Sequence, residues 1–135
     1  MSIKLVVQEE PMGCAIACVA AILNLKYSNA KKLFTNPKHA YGRGYYCKEI
    51  IQALGKGKKN YEFKKVTEKT KDLLNRNGTI VFIGGSEKYL CGHFLVKGEK
   101  GWMNPWYNYP KIAPAKAKFQ KKFPGEAQWV IYSID

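Results

Sequence analysis

The segment from Cys14 to Leu25, CAIACVAAILNL, carries a single polar side chain, Asn24, and follows a bend containing Pro11 and Gly13. Apolar on nearly every side, it fits a helix enclosed by other elements better than an amphipathic surface helix. It is shorter than the roughly eighteen residues that suggest a membrane span. Glu9 and Glu10 precede it where a secretory signal would carry basic residues, and no small-residue cleavage site follows. The expectation is a buried helix in a cytoplasmic protein with no membrane span. A chain of 135 residues with 46% hydrophobic content can bury roughly two-thirds of its unfolded surface as one unit. Two halves would each lack an interior, so residues 1–135 read as a single domain.

The rest of the chain divides by period. Ser28 predicts a capped helix through Phe34, ended by Pro37, and a Gly/Tyr-rich loop fills Asn36 to Tyr45. A third helix is expected over about Cys47–Leu54 and a strand over Tyr61–Val66. Thr67 is a plausible cap for a helix through Asn75, with Asn77–Gly78 as its stop. The second half then turns to strand-length apolar runs. Thr79–Ile83 is one, and Gly92–Val96 and Gly101–Asn104 flank KGEKG as a hairpin. Pro114–Phe123 reads as a lysine-rich surface helix and Gln128–Ile134 as a closing strand. Helices first and strands second imply an α+β fold, with the N-terminal helices packed on an antiparallel sheet.

Lys and Arg number 23 against 10 Asp and Glu, a formal charge of +13. Such a field speeds encounter with anionic partners. The arginines are only Arg43 and Arg76, whereas readers of base sequence lean on arginine forks. The charge therefore implies steering of an acidic peptide or protein substrate, with weak non-specific nucleic-acid binding, rather than base reading. Cys14, Cys18, Cys47 and Cys91 are too sparse for a secreted disulfide scaffold.

Cys14 opens the apolar helix directly after Gly13, where aligned peptide dipoles favour a thiolate; Cys18 sits one turn deeper. A thiol nucleophile needs a base, and the chain has two histidines. His39 falls in the Gly/Tyr loop. His93 heads an apolar strand that can fix its ring, as a base requires. The aspartates, Asp72 and Asp135, are poorly placed to orient it, while Asn104 lies across the hairpin and can accept a hydrogen bond from the second ring nitrogen. Gln8, six residues before Cys14, can return a side-chain amide to a developing oxyanion. Each also has a plainer reading: Cys14 as a small core hydrophobe, His93 as a buried, satisfied histidine, Asn104 as a turn signal before Pro105, Gln8 as a surface residue.

Taken together, QEEPMGCAIACVAAIL resembles the active-site stretch of the bacteriocin-processing, double-glycine leader peptidases, papain-like enzymes often fused to export transporters. Their glutamine, nucleophilic cysteine and second cysteine fall on Gln8, Cys14 and Cys18. GHFLV and WMNPW are similar to the family's histidine strand and its acidic-residue-plus-proline motif, which implies His93 as base and Asn104 as third member. The ending through FPGEAQWVIY resembles a stand-alone branch without the transporter. The family usually has aspartate where Asn104 stands and glycine where Ala15 stands. The resemblance implies a papain-like fold and a cysteine peptidase with a Cys-His-Asn triad, a glutamine oxyanion donor and no cofactor.

Three rivals remain at this level. A zinc site could draw on the four cysteines, His39 and His93, although zinc ligands normally come in tight pairs. The lysine clusters Lys56–Lys71 and Lys111–Lys122, with Tyr41, Tyr45 and Tyr46, could form a basic binding module for nucleic acid or acidic protein. The same thiol chemistry also serves acyl transferases and deamidases, and the fold has inactive members.

Overall fold

The computed structural model describes residues 2–86, 88–111 and 114–135. Three helices come first: α1 (Cys14–Leu23), α2 (Tyr27–Lys31) and α3 (Cys47–Lys56). Strands follow: β1 (Tyr61–Lys65), β2 (Ile80–Ile83), β3 (His93–Gly98), β4 (Gly101–Asn104), β5 (Lys118–Gln120) and β6 (Ala127–Ser133). They form one antiparallel sheet in the order β1-β6-β2-β3-β4-β5. Among the described residues no helix is long and apolar enough to cross a membrane.

Strand alternation sorts the sheet into two faces. Ile80, Phe94, Val96, Met103 and Ile131 point to the helices and join α1, whose residues Ala15 to Ala20 are fully buried. Val81, Ile83, Leu95 and Trp102 point the other way and pack with Tyr89. The enclosed helix of the sequence reading is therefore the wedge between sheet, α2 and α3. His93 is the first residue of β3 and Asn104 the last of β4, so both stand at the same end of that hairpin, where the start of α1 meets β3.

Several boundaries shift. The apolar helix stops at Leu23, because Asn24 takes the left-handed conformation (φ 57°) and the chain turns back. Ser28 does not cap α2; it sits inside the helix, which starts at Tyr27 and ends at Lys31. Pro37 begins a 3-10 turn (Pro37–Tyr41) rather than simply ending a helix. Asn36 caps it by accepting from the Lys38 N–H at 3.1 Å. The α3 helix runs to Lys56, two residues past Leu54. The expected helix from Thr67 to Asn75 shrinks to a 3-10 turn over Lys71–Asn75. The Thr67 and Thr70 hydroxyls capture local N–H groups there, and no residue of that turn is buried to hold a longer helix.

The largest change is at Pro114–Phe123. Of that stretch Pro114 onward is described, and it contains β5 instead of a helix. Ala115, Ala117 and Phe119 turn inward while Lys116 and Lys118 are exposed, a period of two. Phe119 pairs with Met103 and Asn104 with Lys118, so the segment covers the edge of β4.

Candidate active site

The bend before α1 is held from below. Glu10 is buried, accepts the Tyr27 hydroxyl at 2.6 Å and pairs with Lys31 at 3.2 Å. Its carbonyl accepts the Gly13 N–H at 3.0 Å. Gly13 has no space for a side chain, since a Cβ there would collide with the Tyr27 hydroxyl. These contacts place Cys14 at the first position of α1, whose N-cap Gly13 offers no side-chain acceptor and whose first turn holds no acid. Backbone N–H groups near the Cys14 sulfur, first that of Phe94 and then those of Ala15 and Cys14, favour its thiolate. The sulfur thus abuts β3 one residue from His93.

That N-terminus was expected to lower the thiol's pKa. Burial instead pushes Cys14 up to about 11, outweighing the three N–H groups that favour the thiolate. Cys18 is driven up as well, by complete burial and then by Cys14. At rest Cys14 is a thiol.

His93 is equally enclosed, with 3% of its surface exposed. Gly92 makes the turn into β3 at φ +80°, where a Cβ would also lie 2.7 Å from the Ile83 carbonyl. The imidazole Nε2 meets Asn104 Oδ1 at 2.7 Å. Asn104 is fully buried and saturated. Its Oδ1 also accepts the Trp106 N–H at 3.0 Å, while its Nδ2 donates to Tyr89 Oη at 2.9 Å and to Gln120 Oε1 at 2.8 Å. With the amide nitrogen engaged elsewhere, the oxygen must accept from His93, so Nε2 carries the proton and Nδ1 keeps its lone pair. Burial pushes the imidazole down to about 4, against the bond to Asn104, with the Lys88 ammonium adding to the depression. Cys14 and His93 therefore both rest neutral. Among the described residues no hydrogen bond joins the sulfur to the ring.

Gln8 lies buried beside this site, but its Nε2 donates to the Glu10 carbonyl at 3.0 Å and the Pro11 carbonyl at 3.1 Å. Its Oε1 is the one buried side-chain polar atom among the described residues without a partner. Both amide protons are committed to the bend, so Gln8 as found is not presented as an oxyanion donor. His39 is in the 3-10 turn, edge-on to Tyr45 at 5.9 Å. All four cysteines are free, and no three His, Cys, Asp or Glu residues cluster for a metal among the described residues. A cleft of about 300 Å³ lined by Tyr45, Tyr46, Phe63, Phe82, Phe94 and Trp129 opens beside the His93 strand. A larger one of about 580 Å³ runs along Lys4–Val7 and α1, but none of Cys14, His93 or Asn104 lines it.

Two partners of Asn104 were not anticipated. Tyr89 stacks on the His93 ring with centroids 4.1 Å apart and planes 2° from parallel. Gln120 belongs to the strand mistaken for a helix, and the Ala/Lys alternation at residues 115–119 was the signal that could have found it.

No family model matches the chain, and no curated protein matches it. Among solved structures it is similar to the crystal structure of the peptidase domain of Streptococcus ComA, described as a bi-functional ABC transporter involved in a quorum-sensing pathway. The two share 16% identity over 96% of each chain, with a TM-score of 0.57. The fold is thus that of the ComA peptidase domain, helices packed on a six-stranded antiparallel sheet.

Proposed function

We propose that the chain is a cysteine peptidase in which Cys14 attacks, His93 moves the proton and Asn104 holds His93. The observation that carries this reading is the buried 2.7 Å bond between His93 Nε2 and Asn104 Oδ1. It leaves Nδ1 unprotonated on the strand against which the helix-opening thiol is packed. Catalytic contacts commonly tighten only when substrate binds. As the sulfur adds to a peptide carbonyl carbon, its proton passes to Nδ1. The carbonyl oxygen becomes an anion beside the first-turn N–H groups of α1. Collapse breaks the C–N bond, and the Nδ1 proton leaves with the amine. Water then gives a proton to Nδ1 and adds to the thioester; breaking of the C–S bond releases the acid and restores the thiol. Gln8 joins as an oxyanion donor when one of its N–H groups leaves a bend carbonyl for the substrate oxygen. The aromatic cleft suits an apolar side chain of the substrate, and the +13 charge favours acidic flanks. The four free thiols fit a reducing, cytoplasmic setting.

Incubating a protein extract with wild type and with Cys14→Ala, and comparing new peptide termini by mass spectrometry, tests this reading. Termini that need both Cys14 and His93 support it. Termini independent of Cys14, or none, overturn it. Deamidated side chains in their place would move the same thiol chemistry to side-chain amides.

A further inference from the structure

We propose that Tyr89 is a positioning residue for His93: its ring covers one face of the imidazole and its hydroxyl fixes the direction of the Asn104 amide, so that the free lone pair is on Nδ1. This deepens the cysteine-peptidase reading and rests on it for the role of His93 as base.

The argument is one of hydrogen-bond polarity, anchored on backbone. Tyr89 Oη lies 2.6 Å from the Trp106 carbonyl, which can only accept, so the phenol proton is spent there. The phenol oxygen can then only accept from Asn104, and the group facing it must be Nδ2. Asn104 Oδ1 is left for the imidazole, and a neutral ring meeting an oxygen at 2.7 Å must offer Nε2–H. The Trp106 N–H closes the same loop from the other end by donating to Oδ1. Trp106 backbone therefore grips both ends of a relay that runs through Tyr89 and Asn104 to His93.

The stack supplies the second half. Aromatic pairs usually avoid a parallel sandwich in favour of offset or edge arrangements. Here the ring is held parallel by its hydroxyl and by the neighbouring Tyr109, 5.3 Å away. Tyr89 and His93 are each 3% exposed, so the tyrosine keeps water from the imidazole and from its bond to Asn104. The charged and titratable groups acting on this pair are Lys88 on the same connection, Cys14 from α1, and Tyr107 and Tyr109 after β4.

NMR of the imidazole nitrogens in the intact protein, labelled on histidine and assigned with His39→Gln, tests the inference without a substrate. Wild type should show neutral His93 protonated on Nε2. Tyr89→Phe keeps the ring and removes the relay. It should let the Nδ1-protonated form appear and speed Nε2–H exchange about fivefold to tenfold, the weight of one net hydrogen bond. Tyr89→Leu removes the cover, and the His93 titration should climb from about 4 toward the ordinary value of about 6.5. A Tyr89→Phe spectrum identical to wild type, or an Nδ1-protonated wild type, overturns the proposal. Should Tyr89→Leu not fold, Tyr89→Phe decides alone. If the tautomer behaves as stated while Cys14→Ala changes no turnover, the peptidase reading fails and the positioning role stands; the reverse pattern sinks only the latter.

Discussion

The apolar core under the helices and the polar group around His93 are held together by different physics. Toward the helices, Ile16, Val19, Ile80, Val96, Met103 and Ile131 are enclosed by many weak, non-directional contacts. In the polar group, His93, Asn104, Tyr89 and Gln120 depend on a few hydrogen bonds with a fixed direction. The first arrangement loses stability when atoms are deleted and leaves the chemistry intact. The second can lose its chemistry while the fold survives. Cys14 opens the apolar helix and His93 opens the strand beside which its sulfur lies, so the proposed reaction joins two regions with unlike tolerances.

The sharpest way to break this contrast is at the two reacting groups. Cys14→Ala and His93→Ala should each bring turnover to background, read as loss of the new termini, while the proteins still unfold cooperatively. Next in size, Ile16→Ala on the helix side should cost about 2–5 kcal/mol in urea unfolding and leave the His93 tautomer unchanged. An altered tautomer there would show that the two regions are coupled.

Acid should reveal the enclosed imidazole. The folded value of about 4 lies below the ordinary unfolded value of about 6.5, so between those pH values the unfolded chain binds more protons. Stability is then full above pH 6.5 and falls as pH drops toward 4, by roughly 3 kcal/mol. His93→Gln should flatten that slope in urea titrations at successive pH values. The same sign applies to turnover, which should fall below about pH 4 as the base becomes protonated. A smaller effect is expected for Asn104→Ala, about 1–3 kcal/mol for the donors it strands, with loss of the Nε2-protonated form by NMR. At the small end, the exposed Glu68–Lys71 pair at 2.8 Å should be silent to Lys71→Ala in the same unfolding assay.

How far the sequence could be read follows the same division. The helix opening at Cys14, the TIVFI strand and the GHF strand announce themselves by runs of apolar residues, because burial leaves a local period. The Thr67–Asn75 helix was overread since a cap signal counts for little where no apolar face is buried. The segment 114–123 was misread because lysine richness masked an alternation of two. Its strand exists to cover β4, a fact about a neighbour rather than about itself. That miss hid Gln120, one of the two acceptors of the Asn104 amide N–H groups.

By itself the sequence determined an enclosed apolar helix, a lysine-rich exterior, a thiol opening a helix and an imidazole opening a strand. Those outcomes depend on residues close together along the chain. Only the tertiary structure decided that burial holds Cys14 protonated and His93 neutral, that Gln8 gives its amide to the bend, and that Trp106, Tyr89 and Asn104 set which imidazole nitrogen is free. Desolvation and hydrogen-bond direction depend on what surrounds a group, and here the surroundings come from α1, the β2–β3 connection and β5 at once.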